Sequence, residues 1–174
     1  IRIRDNMRID PNAYVIKLRG AVIAQGSCMP GHYLAMSPDA QDDTLVGIKT
    51  HEPAFGLPAL WISENQKARA DELGYTVVDA ITVVTTHLVE VIKRHAHEIL
   101  GRQEVKNLLD NLKKTYPALV DEVVPHLLSV GAVQKVLQNL LRESIPVRDL
   151  VTILEVLGDY AVKTKDIDIL TEYS

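Results

Sequence analysis

Gln134-Lys135-Val136-Leu137-Gln138-Asn139-Leu140-Leu141-Arg142-Glu143, followed by Ile145-Pro146-Val147-Arg148-Asp149-Leu150, decides how the second half of this chain folds. Val133, Val136, Leu137, Leu140 and Leu141 recur at three- and four-residue spacing, which puts them on one face of a helix. Ser129 stands where a side-chain cap is wanted. Pro146 separates this helix from another, carried by Leu150, Ile153, Leu154 and Leu157. Moving outward, Leu119, Val120, Val123 and Val124 predict a short helix stopped by Pro125. Val105, Leu108, Leu109 and Leu112 predict one before it, closed by Tyr116-Pro117. Short connections between four such stripes predict a compact orthogonal bundle over residues 99–174. None of these segments holds a nucleophile, a metal pair or a phosphate loop.

The first half reads differently. Ile1 and Ile3 alternate with Arg2 and Arg4, and Asp5-Asn6 is a turn pair, so the first 26 residues are predicted to be β structure. Tyr14, Ile16 and Leu18 share one strand face, Val15, Lys17 and Arg19 the other. Gly20 marks a reversal into Ala21–Gln25, an antiparallel hairpin with one buried face. Pro30-Gly31 is a boundary. Residues 37–50 are polar and predict a mobile surface loop. Residues 53–61 carry two prolines and a glycine, a composition that resists both helix and central strand. Ser63 with Gln66 is a capping-box pattern for a helix from about Glu64 to Leu73, ended by Gly74. Tyr75–Val78 is a short strand. Asp79 caps a helix that continues to about Leu100, with Val84, Leu88, Val91, Ile92, His95 and Ile99 as its stripe.

Composition narrows the function. The 174 residues are 47% hydrophobic and only 5% aromatic, with one Trp and one Phe, so the cores are aliphatic. No apolar run reaches the roughly 20 residues that span a bilayer, which predicts a soluble chain. No leader peptide is expected. The chain lacks an initial Met and reads as an internal piece of a longer protein. A single cysteine, Cys28, excludes an internal disulfide and a cysteine-based zinc site. Residues 1–30 carry five basic and two acidic side chains, the other 144 carry 14 and 21, so a net of +3 faces a net of −7. Only the first 30 residues have the charge of a nucleic-acid binder, and half-exposed strands explain them, so no nucleic acid is expected.

Chemistry-bearing patterns fail one by one. His87, His95 and His97 share a helix with Glu90 and Glu98, and a small metal-dependent enzyme using His87 and His95 is the rival reading. These two lie eight residues apart, however, and position 91 between them is Val, so no metal is expected. His51-Glu52 resembles a zinc-protease start, but position 55 is Phe. No nucleophile, base and oxyanion donor come together, so no catalysis and no cofactor are expected. The stretch from Thr50 to Ile62 holds the only Phe and the only Trp. Its prolines stiffen the backbone, which lowers the entropy cost of presenting an apolar side chain. Trp61, beside a helix cap, reads as core. Phe55 stays open between core and presented anchor.

Together with Gly101-Arg102-Gln103-Glu104-Val105, the two opening stretches resemble the FHIPEP family, the export-gate proteins of bacterial flagella and related type III secretion systems. The resemblance runs from Ile1-Arg2-Ile3-Arg4-Asp5-Asn6 to Leu170-Thr171-Glu172. It implies an α+β fold. Residues 1–30 and 81–98 would be a partial first subdomain, thioredoxin-like. Residues 31–80 would be an inserted small α/β second subdomain, and residues 99–174 a helical third. Flagellar members receive export chaperone–substrate complexes in an apolar dimple between the first two subdomains. Its markers are an acid three positions before a Phe and a Thr just before His-Leu, matched here by Glu52, Phe55 and Thr86. The acid is often Asp, and Glu52 is one methylene longer. Glu52 and Thr86 would hydrogen-bond at the rim. Pro38, Leu57, Val78 and Val83 are the implied wall. The resemblance also implies a nonameric ring, partners that include the ATPase complex, and a parent protein in the bacterial inner membrane with this part on its cytoplasmic side. The virulence-type export gate shares the helical signatures and is the nearest alternative.

Overall fold

The computed structural model describes residues 1–37 and 45–174. Chain contacts divide it into two compact units, Ile1–Ile92 and Lys93–Ser174.

The first unit starts without regular structure. Residues 1–6 form no strand, and Ile1, Ile3 and Met7 are almost fully exposed. Alternation alone does not make a strand there, because no partner strand lies alongside. The hairpin follows as expected: β1 (Ala13–Leu18) pairs antiparallel with β2 (Ala21–Ser27). Its single buried face does not appear. Ile16 pairs with Ala24 but Lys17 with Val22, so Ile23 is an extra residue in β2. A bulge of this kind bends the strand and breaks the two-residue alternation, and Ala13 through Ile16 are all half-buried.

A second sheet runs β4–β5–β3–β6, all neighbours antiparallel, from β3 (Tyr33–Met36), β4 (Ile48–His51), β5 (Pro58–Ile62) and β6 (Thr76–Asp79). Two expectations fail here. Ile48–His51 is a strand, not loop. Pro58–Ile62 is an interior strand despite its proline. Pro58 is the first residue of the strand, where a missing N–H costs least. The sheet buries both faces. Leu34, Ala59, Trp61 and Val78 point to one side and pack with Ala80 and Val83. Ala35, Leu60, Ile62 and Val77 point to the other and pack with Ala70 and Tyr75. A strand buried on both faces shows no polar alternation, so its pattern does not announce it.

α1 (Lys67–Glu72) follows a 3-10 turn at Glu64–Gln66. The expected capping box is not made: Ser63 Oγ donates to Asn65 Oδ1, and only the Ser63 carbonyl accepts from the Gln66 N–H, at 3.0 Å. α2 (Ala80–Arg94) is capped by Asp79 as expected, with the Thr82 N–H at 2.8 Å and the Thr82 hydroxyl at 2.9 Å donating to its carboxylate. Its buried face is Ala80, Val83, His87 and Val91, one residue round from the predicted stripe. The helix also breaks at His95, so it does not run on to Leu100; α3 (Ala96–Ile99) is a separate turn.

The second unit is helical throughout: α4 (Arg102–Lys113), α5 (Pro117–Asp121), α6 (Val130–Arg142), α7 (Leu150–Ala161) and α8 (Ile167–Tyr173). α6 is central, packed by α3, α4 and α8. Val105, Leu109, Val133, Val136, Leu137, Leu140, Ile153, Leu154, Leu157 and Leu170 form one core. Each such side chain contributes roughly 1.5–3 kcal/mol by burial. Pro125 does not simply stop α5. A widened turn over Glu122–Leu127 passes through it, and the helical path breaks at Val124 (φ −126°, ψ 121°), as expected for a residue before proline. No helix among the described residues is long and apolar enough to cross a membrane.

Candidate functional site

The chain between β4 and β5 is a six-residue turn from Glu52 to Leu57. The Glu52 N–H donates to the Leu57 carbonyl at 2.8 Å, and the Gly56 N–H donates to the Glu52 carbonyl at 2.8 Å. Gly56 sits at φ +73°, a conformation that a side chain would strain. The Glu52 carboxylate closes the turn from within. Oε1 accepts from the Ala54 N–H at 2.8 Å and Oε2 from the Phe55 N–H at 2.7 Å. One carboxylate thus serves both amides. Glu52 is therefore buried beneath the turn, 4% exposed, and not at a rim.

This bracing pushes one aromatic ring outward. Phe55 is 59% exposed, while Trp61 is 4% exposed and belongs to the core. Of the two places that the residues left open for Phe55, the structure puts the ring outside the core. Leu57 is also exposed. Val78 is half-buried and Val83 fully buried, both packed against the cluster around Trp61, so they back this part of the fold from inside. Thr86 is half-buried on α2. Pro38 lies outside the described residues.

Two residues that sequence reasoning does not assign to the site stand beside it. The Tyr14 hydroxyl lies 2.8 Å from His87 Nδ1, and the rings meet edge to face at 5.7 Å. Burial first, then the negative charges that Cys28 and Glu52 can carry, push the Tyr14 phenol up to about 12. The phenol stays protonated at neutral pH and can donate to Nδ1 of a His87 ring that carries its proton on Nε2. Burial also pushes the Cys28 thiol up. In the sequence, His87 has the pattern of an ordinary helix residue. The one trace is Gly26, which proves to be the cross-strand partner of Tyr14.

The histidine-based rival loses its geometry. His87 is turned to Tyr14, while His95 stands at the helix break with Glu98 Oε1 2.8 Å from its Nδ1. Among the described residues, no three of His, Cys, Asp and Glu come together as metal ligands would.

A two-unit α+β chain with a braced, outward-facing phenylalanine is the class of protein that these features define. A family model described as the FHIPEP family matches residues 1–174, and the chain belongs to that family. It is 57% identical to the flagellar biosynthesis protein FlhA of Bacillus subtilis over all 174 residues, which are 26% of that protein. The chain thus spans about a quarter of the length of the curated relatives it matches. Among solved structures it is similar to Chlamydia pneumoniae CdsV in its complex with CdsO, with 29% identity and a TM-score of 0.83, covering 97% of this chain and 52% of that one. It is also similar to the C-terminal domain of InvA, with 26% identity and a TM-score of 0.72, covering 98% and 52%.

Proposed function

We propose that this chain is a docking and ring-forming module of the flagellar type III protein export gate, on the cytoplasmic side of the bacterial inner membrane. It binds export chaperone–substrate complexes, from which cargo passes to the membrane pore, and it performs no chemistry of its own. The observation that carries this reading is Phe55, exposed on a turn whose buried carboxylate accepts from two of the turn's own amides. An exposed ring on a prepared turn has little left to lose in entropy on binding. Thr86 and Leu57 complete the contact surface, with Val78 and Val83 behind it. Family membership supports an export gate, and FlhA relatives at 40–57% identity support the flagellar version over the virulence one. Residues 1–30 with 81–98, and 31–80, would be the first two subdomains, the first of them thioredoxin-like. Residues 99–174 would be the third, contributing neighbour contacts in the ring. The CdsV–CdsO complex supports a role in binding other export-apparatus proteins.

The test is direct. Truncating a buried-on-binding aromatic anchor often costs about 2 kcal/mol or more. Phe55→Ala should weaken binding of a purified flagellar chaperone–cargo complex roughly 30-fold. Because the ring is exposed, the melting temperature should barely move, within the ±0.5 kcal/mol or so of a surface change. Thr86→Ala should cost about 1 kcal/mol of affinity. Parent-like affinity in Phe55→Ala would sink the docking assignment.

A further inference from the structure

The backbone makes space for the Tyr14–His87 pair. His87 is 4% exposed on the same α2 face as Ala80, Val83 and Val91. Across the hairpin, a Cβ on Gly26 would stand 2.5 Å from the Tyr14 hydroxyl, so the bare backbone there is what admits the ring. One end of the same helix is held separately: the Cys28 Sγ lies 3.8 Å from the Ala80 carbonyl, a weak thiol hydrogen bond. Ala80 and His87 are seven residues apart, about two helical turns. Two attachments at that separation fix how the helix is rotated about its axis as well as where it lies. Thr86 precedes His87 by about 100° of that rotation, so any roll of the helix that released His87 would carry Thr86 with it. Tyr14 is also close enough to Glu52 for that carboxylate to add, after burial and Cys28, to the rise of its phenol.

We propose that Tyr14 and His87 are positioning residues for docking: their hydrogen bond locks the roll of α2 against the β1–β2 hairpin, and so fixes Thr86 and backs the Glu52–Leu57 turn that presents Phe55. This inference rests on the docking reading above. Neither residue touches the partner. They set the geometry that the partner meets.

Tyr14→Phe keeps the ring and removes only the hydroxyl, and His87→Gln keeps a polar side chain with an acceptor. Three quantities are measured for each: affinity for a purified flagellar chaperone–cargo complex, melting temperature, and amide hydrogen exchange at Ala54 and Phe55. Ile62→Val serves as a control that destabilises the same unit from the other face of the sheet, away from the pair. Tyr14→Phe should bind about fivefold more weakly, the size of one lost hydrogen bond. Its Ala54 and Phe55 amides should exchange about tenfold faster, and His87→Gln, which keeps an acceptor for the Tyr14 hydroxyl, should lose less of both. Ile62→Val should melt lower and yet bind like the parent. If Phe55→Ala loses binding while Tyr14→Phe keeps both affinity and exchange, the positioning role is wrong and the docking reading stands. If Phe55→Ala binds normally, the docking reading itself has failed. A binding loss in Ile62→Val that matches its lost stability overturns the positioning role, as does loss of the fold in both pair variants.

Discussion

Glu52 shows how much one side chain can decide. Its carboxylate accepts two amide hydrogens inside a turn and is itself out of water. A buried carboxylate is tolerable only when hydrogen-bonded, and here the turn's own amides supply the bonds. Glu52→Gln replaces one oxygen with an NH2 group that cannot accept, leaving an amide hydrogen of the turn unpaired. That should cost about 1–3 kcal/mol of stability, seen as a lower urea midpoint with an unchanged slope. Loss of Phe55, by contrast, should cost affinity and not stability. Sequence pattern reads Trp61 as core from its place beside a helix cap, but it leaves Phe55 open. An aromatic residue inside an apolar, proline-containing stretch fits a core or a surface equally well. Only the turn geometry, with Gly56 at positive φ, turns Phe55 outward while Trp61 goes inward. Tyr14 and His87 are illegible for a different reason, since they are 73 residues apart and neither carries a local pattern.

At the scale of elements, helices are easier to read than strands. α4, α6 and α7 carry wide apolar stripes and are covered on one side only, so three- and four-residue spacing marks them. β5 has no such signature, because Ala59 and Trp61 face one core while Leu60 and Ile62 face the other. α2 is legible as a helix, but its stripe reads one residue out of phase, for it is apolar on more than one side: Ile81, Val89 and Ile92 are exposed. Caps are partly legible. Ser129 accepts from the Ala132 N–H at 3.1 Å, and Ser129→Ala should cost about 1 kcal/mol in equilibrium unfolding. Asp79 and Asp149 cap α2 and α7. Hydrogen bonds from the Thr82 N–H and hydroxyl hold the Asp79 carboxyl below its ordinary pKa, and the Thr152 hydroxyl and N–H do the same for Asp149. A depressed folded-state pKa means stability that is fully present above the unfolded value, about 3.9, and lost as pH falls through the folded one. Stability measured from pH 5 down to pH 2 should therefore decline. The decline should be shallower in Asp149→Asn, which keeps an acceptor but has no charge to lose.

The whole molecule is two units with separate cores, and the helical unit has the physical means to fold by itself. Residues 93–174 enclose one continuous apolar cluster and cap three of their helices with Ser129, Asp149 and Asp166. That span should give helical circular dichroism and a cooperative melt; a featureless melt would show that it depends on the first unit. Starting instead at residue 99 should lower the melting temperature, because the Gln138 side-chain NH2 donates to the His97 carbonyl at 3.0 Å and α3 packs on α6. An unbroken helical pattern does not foretell the break at His95, and so does not foretell this starting point either. One consequence follows from the place of Trp61. As the sole tryptophan, sealed in the sheet core, it makes selectively excited tryptophan fluorescence a reporter of the first unit, since the second has only tyrosines. Far-ultraviolet ellipticity is weighted toward the helical unit. An unlabelled sample thus carries a separate optical signal for each half, and the gap between the two midpoints in one denaturant titration measures how far the halves unfold independently.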